Sequence, residues 1–194
     1  EFILSKNAPW HYPIVWIGIT SPVIVISFFL VGLFFLIKRI VSRLVAVDNK
    51  LNDLWRGENE VIDIYSLSMV LLPIFLFINK GVAYDGWRLL YFIYPSIIMI
   101  AIFGIYYLNL YLKSKLFKFT IYLAIILNLT YLGFWNHKFH PHQYVYFNLL
   151  FKKNFHQNFD MDYMSLSNRS AIEYIINNNT NYPIKIGTKS FSSL

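Results

Sequence analysis

The sequence contains no cysteine, so disulfides, thiolate nucleophiles and cysteine-bound metals are excluded. Charged residues are scarce as well: Asp, Glu, Lys and Arg make up 14% of the 194 residues, whereas a soluble domain has about a quarter. Apolar residues make up 57% and are bunched into long runs. This distribution is typical of membrane spans rather than of one large soluble core.

Several motifs that would indicate a known chemistry are missing too. The sequence has no P-loop, no Gly-rich dinucleotide turn, no nucleophile elbow and no His-Glu-x-x-His pair. Its basic residues cluster beside the apolar runs, so we expect no nucleic-acid partner. The sequence also starts without a methionine or a signal peptide, and we therefore expect a fragment or a processed product.

Four apolar segments are long enough to cross a bilayer, because about 20 residues rising 1.5 Å each span its hydrocarbon core. We predict spans at about 14–37, 61–78, 89–112 and 116–135. Pro95 is expected to start or kink the third span. The predicted fold class is an all-α multi-pass membrane protein, whose transmembrane region covers residues 1–135.

The basic residues predict how these spans are oriented, since cytoplasmic loops carry an excess of Lys and Arg. The link 38–60 holds Lys38, Arg39, Arg43, Lys50 and Arg56, and the link after the third span adds Lys113, Lys115 and Lys118. The opposite side holds only Lys6, Lys80 and Arg88. We therefore predict a protein of the inner (plasma) membrane whose two termini are both extracytoplasmic.

Two further segments have recognisable patterns. In the cytoplasmic link 38–60, apolar residues recur at helical spacing, which predicts an amphipathic helix on the membrane surface or a solvated helical connector. The tail, residues 136–194, is predicted to be a small extracytoplasmic α/β region. Its helix is expected to start near Asn168, and its strand is expected at "YPIKIGT", residues 182–188.

Most polar residues that could do chemistry fall on the predicted outer side. They include all five histidines: His11, His137, His140, His142 and His156. Four tryptophans also lie near this outer interface, as an aromatic belt would: Trp10, Trp16, Trp87 and Trp135. Asp85 and Arg88 lie three residues apart at the start of the third span and could form an ion pair that caps it. Alternatively, Arg88 could bind an anionic headgroup, with Lys80 as a second cation.

The remaining candidates also allow two readings each. His11 could donate to a phosphate or act as a general acid or base, or it could be an interfacial residue without such a role. In the loop "HKFHPHQYVYFN", three histidines could ligate zinc, but a clear fourth ligand is lacking. The loop is better read as lining a pocket with these residues: His137, His140, His142, Tyr144, Tyr146 and Asn148.

An Asp-x-Asp pattern raises the question of a metal. Asp160 and Asp162 could hold a divalent cation bound to a diphosphate, or they could be solvated acids in a turn. The pattern is short and frequent by chance. We therefore predict no metal site and no cofactor.

Four stretches carry a family resemblance: "NAPWHYPIVWIGITSP", "YDGWRLLYFIYP", "HPHQYVYFN" and "FDMDYMSLSNRSAIEYI". In this order they resemble the C-terminal portion of GT-C glycosyltransferases, in particular the dolichyl-phosphate-mannose–protein mannosyltransferase-like group. The resemblance implies a multi-helix enzyme that transfers a sugar from a polyprenyl-phosphate donor on the outer face. In that family the acid thought to act as base lies in an earlier loop, expected here upstream of Glu1 in a missing N-terminal half.

The resemblance and the residues together predict two subsites. The donor phosphate is assigned to Arg88, Lys80 and His11, and the sugar or acceptor pocket to Asp85, Tyr84, Trp87, His140, His142, Tyr144 and Asn148. The catalytic residue stays unknown, and membrane lipid is the expected surrounding partner. One alternative is a transporter or flippase fragment for lipid-linked saccharides. A transporter would have polar residues spread through its spans, whereas we expect the interiors of these spans to be uncharged. The other alternative is a non-catalytic scaffold subunit.

Overall fold

The computed structural model describes residues 9–45, 58–80, 86–150, 167–179 and 183–184. Its α-helices are α1 (Tyr12–Thr20), α2 (Val23–Val45), α3 (Glu58–Lys80), α4 (Tyr94–Tyr111), α5 (Lys115–Lys138) and α6 (Ser167–Asn178). Short 3₁₀ helices occupy Arg88–Ile93 and Gln143–Val145. No strand occurs within these ranges, and most of the predicted strand at 182–188 lies outside them.

Four helices are long and apolar enough to cross a membrane, which confirms the predicted all-α multi-pass class. Their candidate spans are Val23–Arg43, Val61–Asn79, Arg88–Tyr111 and Lys115–Lys138. The last three begin and end within three residues of the predicted ranges. Pro95 lies in the first turn of α4, so this proline starts the helix, as its missing N–H allows.

The first span differs from the predicted range 14–37, because the chain breaks between α1 and α2. Ser21 is extended, with φ −92° and ψ 147°, and Pro22 follows it. Proline disfavours helical geometry at the preceding residue and has no N–H to donate, which explains the break. The nine residues of α1 are too short to cross a bilayer, so α2 is the span.

Helix α2 also runs on to Val45, into the predicted link, and the rest of that link up to residue 57 lies outside the described residues. In the tail, α6 begins at Ser167, one residue before the predicted start at Asn168.

The directions of the spanning helices follow from their contacts. Helices α2 and α4 run parallel, since Gly32 lies against Gly104 and, farther along both, Phe35 packs on Tyr107. Helix α3 runs the opposite way, because Asp63 near its start is paired with Arg39 near the end of α2.

Helix α5 also reverses direction relative to α4. Asn109 near the end of α4 donates through Nδ2 to the Tyr122 hydroxyl of α5 at 2.7 Å. The bundle therefore has two ends. We call the end with residues 9–22, 86–94 and 135–150 the loop end, and the end with the last turns of α2 and α4 and the first turns of α3 and α5 the basic end.

The buried core lies between α2, α3, the 3₁₀ segment and α4. It consists mainly of branched aliphatic side chains, with Leu36, Ile93, Ile97 and Ile100 fully buried. Helix α5, in contrast, has no buried residue along its length. Apolar side chains that face outward are expected of helices whose solvent is lipid.

Two glycines bring the backbones of α2 and α4 into contact. A Cβ atom on Gly104 would overlap the Phe28 carbonyl and would lie 2.8 Å from the Gly32 nitrogen. A Cβ atom on Gly32 would overlap the Ile100 carbonyl. Small residues at such crossings allow membrane helices to approach closely enough for extensive van der Waals contact.

We expect Gly104→Ala to destabilise the protein, because the added methyl group has no space between the two backbones. Overpacking of this kind costs about 1–3 kcal/mol in free energy of unfolding, or roughly 2–4 °C in Tm for each kcal/mol. The Tm of the detergent-solubilised protein measures the loss.

Gly133→Ala on α5 is the matched control, since nothing lies within 4 Å of its Cβ position. Both variants gain the same helix propensity, so the difference between their Tm values reports the α2–α4 contact. Equal Tm values for the two variants would show that the close approach is absent.

Candidate functional site

The segment that precedes α4 docks on α1 at the loop end. Gly86 adopts a left-handed φ of +66°, and a Cβ atom there would come within 3.2 Å of the Trp16 ring. Trp87 is 6% exposed and donates from Nε1 to Thr20 Oγ1 at 2.9 Å, while Thr20 Oγ1 donates to the Trp16 carbonyl at 2.7 Å. The turn therefore locks the start of α4 against the last turn of α1.

Asn148 docks the other predicted stretch on the same helix. Its Nδ2 donates to the carbonyl oxygens of Gly18 at 2.5 Å and Ser21 at 2.7 Å. Its backbone N–H donates to the Ile19 carbonyl oxygen at 2.8 Å. Its Oδ1 accepts from the Leu150 N–H at 3.1 Å. The break after α1 leaves carbonyls that lack helical partners, and Asn148 satisfies them.

These two contacts place "GWRLLYFIYP" and "HPHQYVYFN" at one end of the bundle, as the predicted topology requires. They also change the interpretation of two predicted pocket residues. Trp87 and Asn148 are buried, at 6% and 3% exposure, and their polar atoms hydrogen-bond to α1 and its flanks. Both residues therefore hold the loop end together, and the surface available to a ligand is formed by their neighbours.

A group of tyrosines lies beside these docking residues. The Tyr146 ring packs edge-on against Trp135 with 5.0 Å between centroids. Burial raises the pKa of the Tyr146 hydroxyl, and the hydroxyls of Tyr131 and Tyr94 raise it further. Tyr146 is therefore a neutral hydroxyl at physiological pH, able both to donate and to accept a hydrogen bond.

Sequence reasoning did not assign Tyr94 or Tyr131 to the site, because they lie inside spans that read as uniformly apolar. Their distance from Tyr146 along the chain gave no signal that the three would be neighbours.

The charged and ionisable candidates at the loop end are largely exposed. Arg88 is the first residue of its 3₁₀ helix, directly after Trp87, and its side chain is exposed. His11 immediately precedes α1 and packs edge-on against Trp10 at 5.4 Å between ring centroids. Both residues belong to segments that meet at the contact between Trp16 and Gly86, so the fold places them at the same boundary.

The histidine loop after α5 has its own internal contacts. His140 Nδ1 lies 2.7 Å from Gln143 Nε2, and His142 packs edge-on against Tyr144 at 6.1 Å between ring centroids. His140 and Tyr144 are exposed, and His142 is half-buried. Within the described ranges, no three His, Asp or Glu side chains converge to hold a metal ion, and Asp160 and Asp162 lie outside those ranges.

The side chains of three further candidates lie outside the described part of the structure. Tyr84 and Asp85 lie outside the described residues, so the predicted pairing of Asp85 with Arg88 stays a prediction. Lys80 is the last residue of α3 and only its backbone is described.

A polar contact at the basic end was missed in the sequence. Asp63 Oδ2 lies 3.1 Å from Arg39 Nε, and the two side chains are 6% and 38% exposed. Asp63 is two residues inside the start of the span Val61–Asn79, so this charge lies at the edge of the span. The signal was available, since an acid at the edge of one span and an arginine at the matching edge of another can satisfy each other in lipid.

No protein-family model, curated protein or solved structure matches this chain. The case for a function therefore rests on the residues at the two ends of the bundle and on their chemistry.

We expect Asn148→Ala to release the loop 143–150 from α1, because the Gly18 and Ser21 carbonyls lose their donors. Leaving buried carbonyls unpaired costs about 1–3 kcal/mol. Faster amide hydrogen exchange across 143–150, together with a lower Tm in detergent, would report this release.

Gln143→Ala is the matched control on the same loop, since the Gln143 amide makes only a 3.3 Å bond to the Asn136 carbonyl and the His140 contact near the surface. Unchanged exchange in Asn148→Ala, or an equal effect of both variants, would contradict the docking role.

Proposed function

We propose that this chain contributes the lipid-facing and donor-binding part of a membrane glycosyltransferase. The enzyme moves a sugar from a polyprenyl-phosphate donor to an acceptor on the outer face of the membrane. The observation that carries the proposal is the broken first helix. It brings an exposed arginine, a histidine loop and a group of tyrosines to one boundary between apolar helices and water.

A lipid-linked donor needs an apolar surface for its polyprenyl chain. The loop end opens directly onto such a surface, because no residue of α5 is buried. Near the end of α5, the Trp135 ring packs against the Phe139 ring with 4.7 Å between centroids. A long isoprenoid chain can lie along these side chains without exposing them to water.

The phosphate of the donor needs a cation at the interface. Arg88 fits this role, because a guanidinium can donate two parallel hydrogen bonds to phosphate oxygens and keeps its charge at every physiological pH. His11 is the second candidate, as a neutral or protonated donor at the same end.

The sugar needs hydroxyl, amide and aromatic partners. Tyr146 offers a neutral hydroxyl beside the Trp135 ring, and Tyr144, His140 and His142 lie on the same loop. The general base for the acceptor is not assigned to any residue of this chain.

The distribution of basic side chains supports an outward-facing loop end. Among the described side chains at the helix ends, the basic end has Lys38, Arg39, Arg43, Lys113, Lys115 and Lys118, and the loop end has Arg88 and Lys138. An excess of Lys and Arg marks the cytoplasmic side, so we place the basic end there.

The second candidate function is transport of a lipid-linked saccharide, and the ion pair of buried Asp63 with half-buried Arg39 is the observation that favours it. Charged groups in transporters lie near the middle of the bilayer, at the substrate site. Asp63 is only two residues inside the start of its span, and Arg39 is four residues before the end of its own. The pair therefore lies near one edge, which favours the glycosyltransferase.

We expect Arg88→Ala to weaken the binding of polyprenyl monophosphate about 10- to 150-fold, because one charge-assisted contact contributes about 1.5–3 kcal/mol. Arg88→Lys should keep part of the affinity, since it keeps the charge and loses the forked geometry. Titration of the lipid into detergent-solubilised protein gives the Kd.

Lys138→Ala is the control, because Lys138 is an exposed cation at the same end. An equal loss in Lys138→Ala, or an unchanged Kd in Arg88→Ala, would overturn the phosphate role. In native membranes that contain the protein, release of the sugar from its lipid supports a transferase. Movement of the intact lipid supports the transporter. The absence of both activities supports a scaffold.

A further inference from the structure

Six basic residues gather at the basic end of the bundle, away from the site proposed above. They come from the last turns of α2, the end of α4 and the start of α5: Lys38, Arg39, Arg43, Lys113, Lys115 and Lys118. Asp63 is the acidic residue whose side chain is described at this end, while Glu58 and Glu60 begin α3 with only their backbones described. The surface formed by α2, α4 and α5 is therefore positively charged.

The fold holds the Arg39 side chain in place. Arg39 Nε forms an ion pair with Asp63 Oδ2 at 3.1 Å. Arg39 Cζ lies over the Tyr107 ring, 5.5 Å from its centroid. A guanidinium has four further N–H donors on its two Nη atoms, and 38% of the Arg39 side chain is exposed. The ion pair and the ring fix the orientation of a group that can still bind an anion.

An aromatic wall lies next to Arg39 on the membrane side. Phe35, one helical turn before Arg39, stacks on Tyr111 with 5.2 Å between centroids and 7° between planes. It also packs on Tyr107 at 5.2 Å. Tyr111 is 64% exposed, so this wall faces the surroundings of the bundle, and in a membrane these are lipid chains.

We infer that Arg39, Lys38 and Lys113 bind the phosphate of an anionic phospholipid, whose acyl chain lies along Phe35 and Tyr111. Lys113 is two residues beyond Tyr111, and Lys38 precedes Arg39, so both cations border the wall. Basic pockets between spanning helices hold lipid phosphates through charge-assisted hydrogen bonds, and the adjacent apolar side chains hold the tail. This inference does not depend on the proposed enzyme activity.

A lipid phosphate fits this place better than a soluble anion does. The charged groups stand at the ends of apolar helices, with the exposed rings of Tyr111 and Phe34 directly beside them. A soluble phosphate would leave the exposed faces of these rings uncovered, whereas a phospholipid covers them and neutralises the charge at the same time.

The test uses the detergent-solubilised full chain and counts bound lipids by native mass spectrometry. Phosphatidylglycerol is compared with phosphatidylcholine of the same acyl chains. The double variant Lys38→Gln/Lys113→Gln leaves the pair of Arg39 and Asp63 intact, so its fold is preserved. Lys138→Gln, at the opposite end of the bundle, is the control for charge alone.

We expect phosphatidylglycerol to bind at least tenfold more tightly than phosphatidylcholine. The double variant should lose most of that preference, and Lys138→Gln should keep it. Addition of 10-fold to 100-fold excess inorganic phosphate should leave lipid binding unchanged. Equal binding of the two lipids, an equal loss in Lys138→Gln, or displacement by inorganic phosphate would each overturn the inference.

Discussion

The close approach of α2 and α4 at Gly32 and Gly104 is the constraint on which the rest of the structure depends. Because the two backbones touch, the helices cannot slide or rotate past each other without a clash. They run parallel, so α1 and the 3₁₀ segment that precede them meet at one end, and the last turns of α2 and α4 lie at the other. In lipid, where apolar burial does not drive helix association, packing of this kind supplies the attraction.

The two ends then acquire different chemistry. At the loop end, the break at Ser21 and Pro22 exposes carbonyls that the fold must satisfy, and Asn148 supplies the donors. That requirement pulls the loop after α5 onto α1, beside the turn that carries Arg88. At the basic end, the pair of Arg39 and Asp63 connects α2 with α3, and the cations around it are bordered by exposed aromatic rings. We therefore propose a lipid-linked sugar phosphate as the ligand of the loop end and a lipid headgroup as the ligand of the basic end.

Much of the architecture could be predicted from the sequence, because hydropathy alone defines long apolar helices. The three later spans were placed within three residues. The break in the first span was not predicted, because the mean hydropathy of the run stays high through Ser21 and Pro22. Hydropathy does not report that a proline disfavours helical geometry at the residue before it. That "GWR" and the histidine loop lie at the same end could be predicted, but not that both dock on α1.

Side-chain roles were harder to infer. Asn148 and Trp87 look like ligand-binding residues in the sequence, because both types are common in sugar sites. Only the fold shows that their polar atoms are used by α1. The pair of Asp63 and Arg39 was not predicted, since the two residues are 24 positions apart and belong to different spans. Such pairs depend on helix register, and hydropathy does not report register.

The central claim is that Arg88 and Tyr144 share one side of the membrane and Lys115 lies on the other. The chain has no cysteine, so single substitutions by cysteine give an unambiguous label at each position. A membrane-impermeant maleimide applied to sealed, uniformly oriented vesicles should label Arg88→Cys and Tyr144→Cys alike. Lys115→Cys should show the opposite accessibility until the vesicles are opened with detergent. Opposite labelling of Arg88→Cys and Tyr144→Cys would contradict the account.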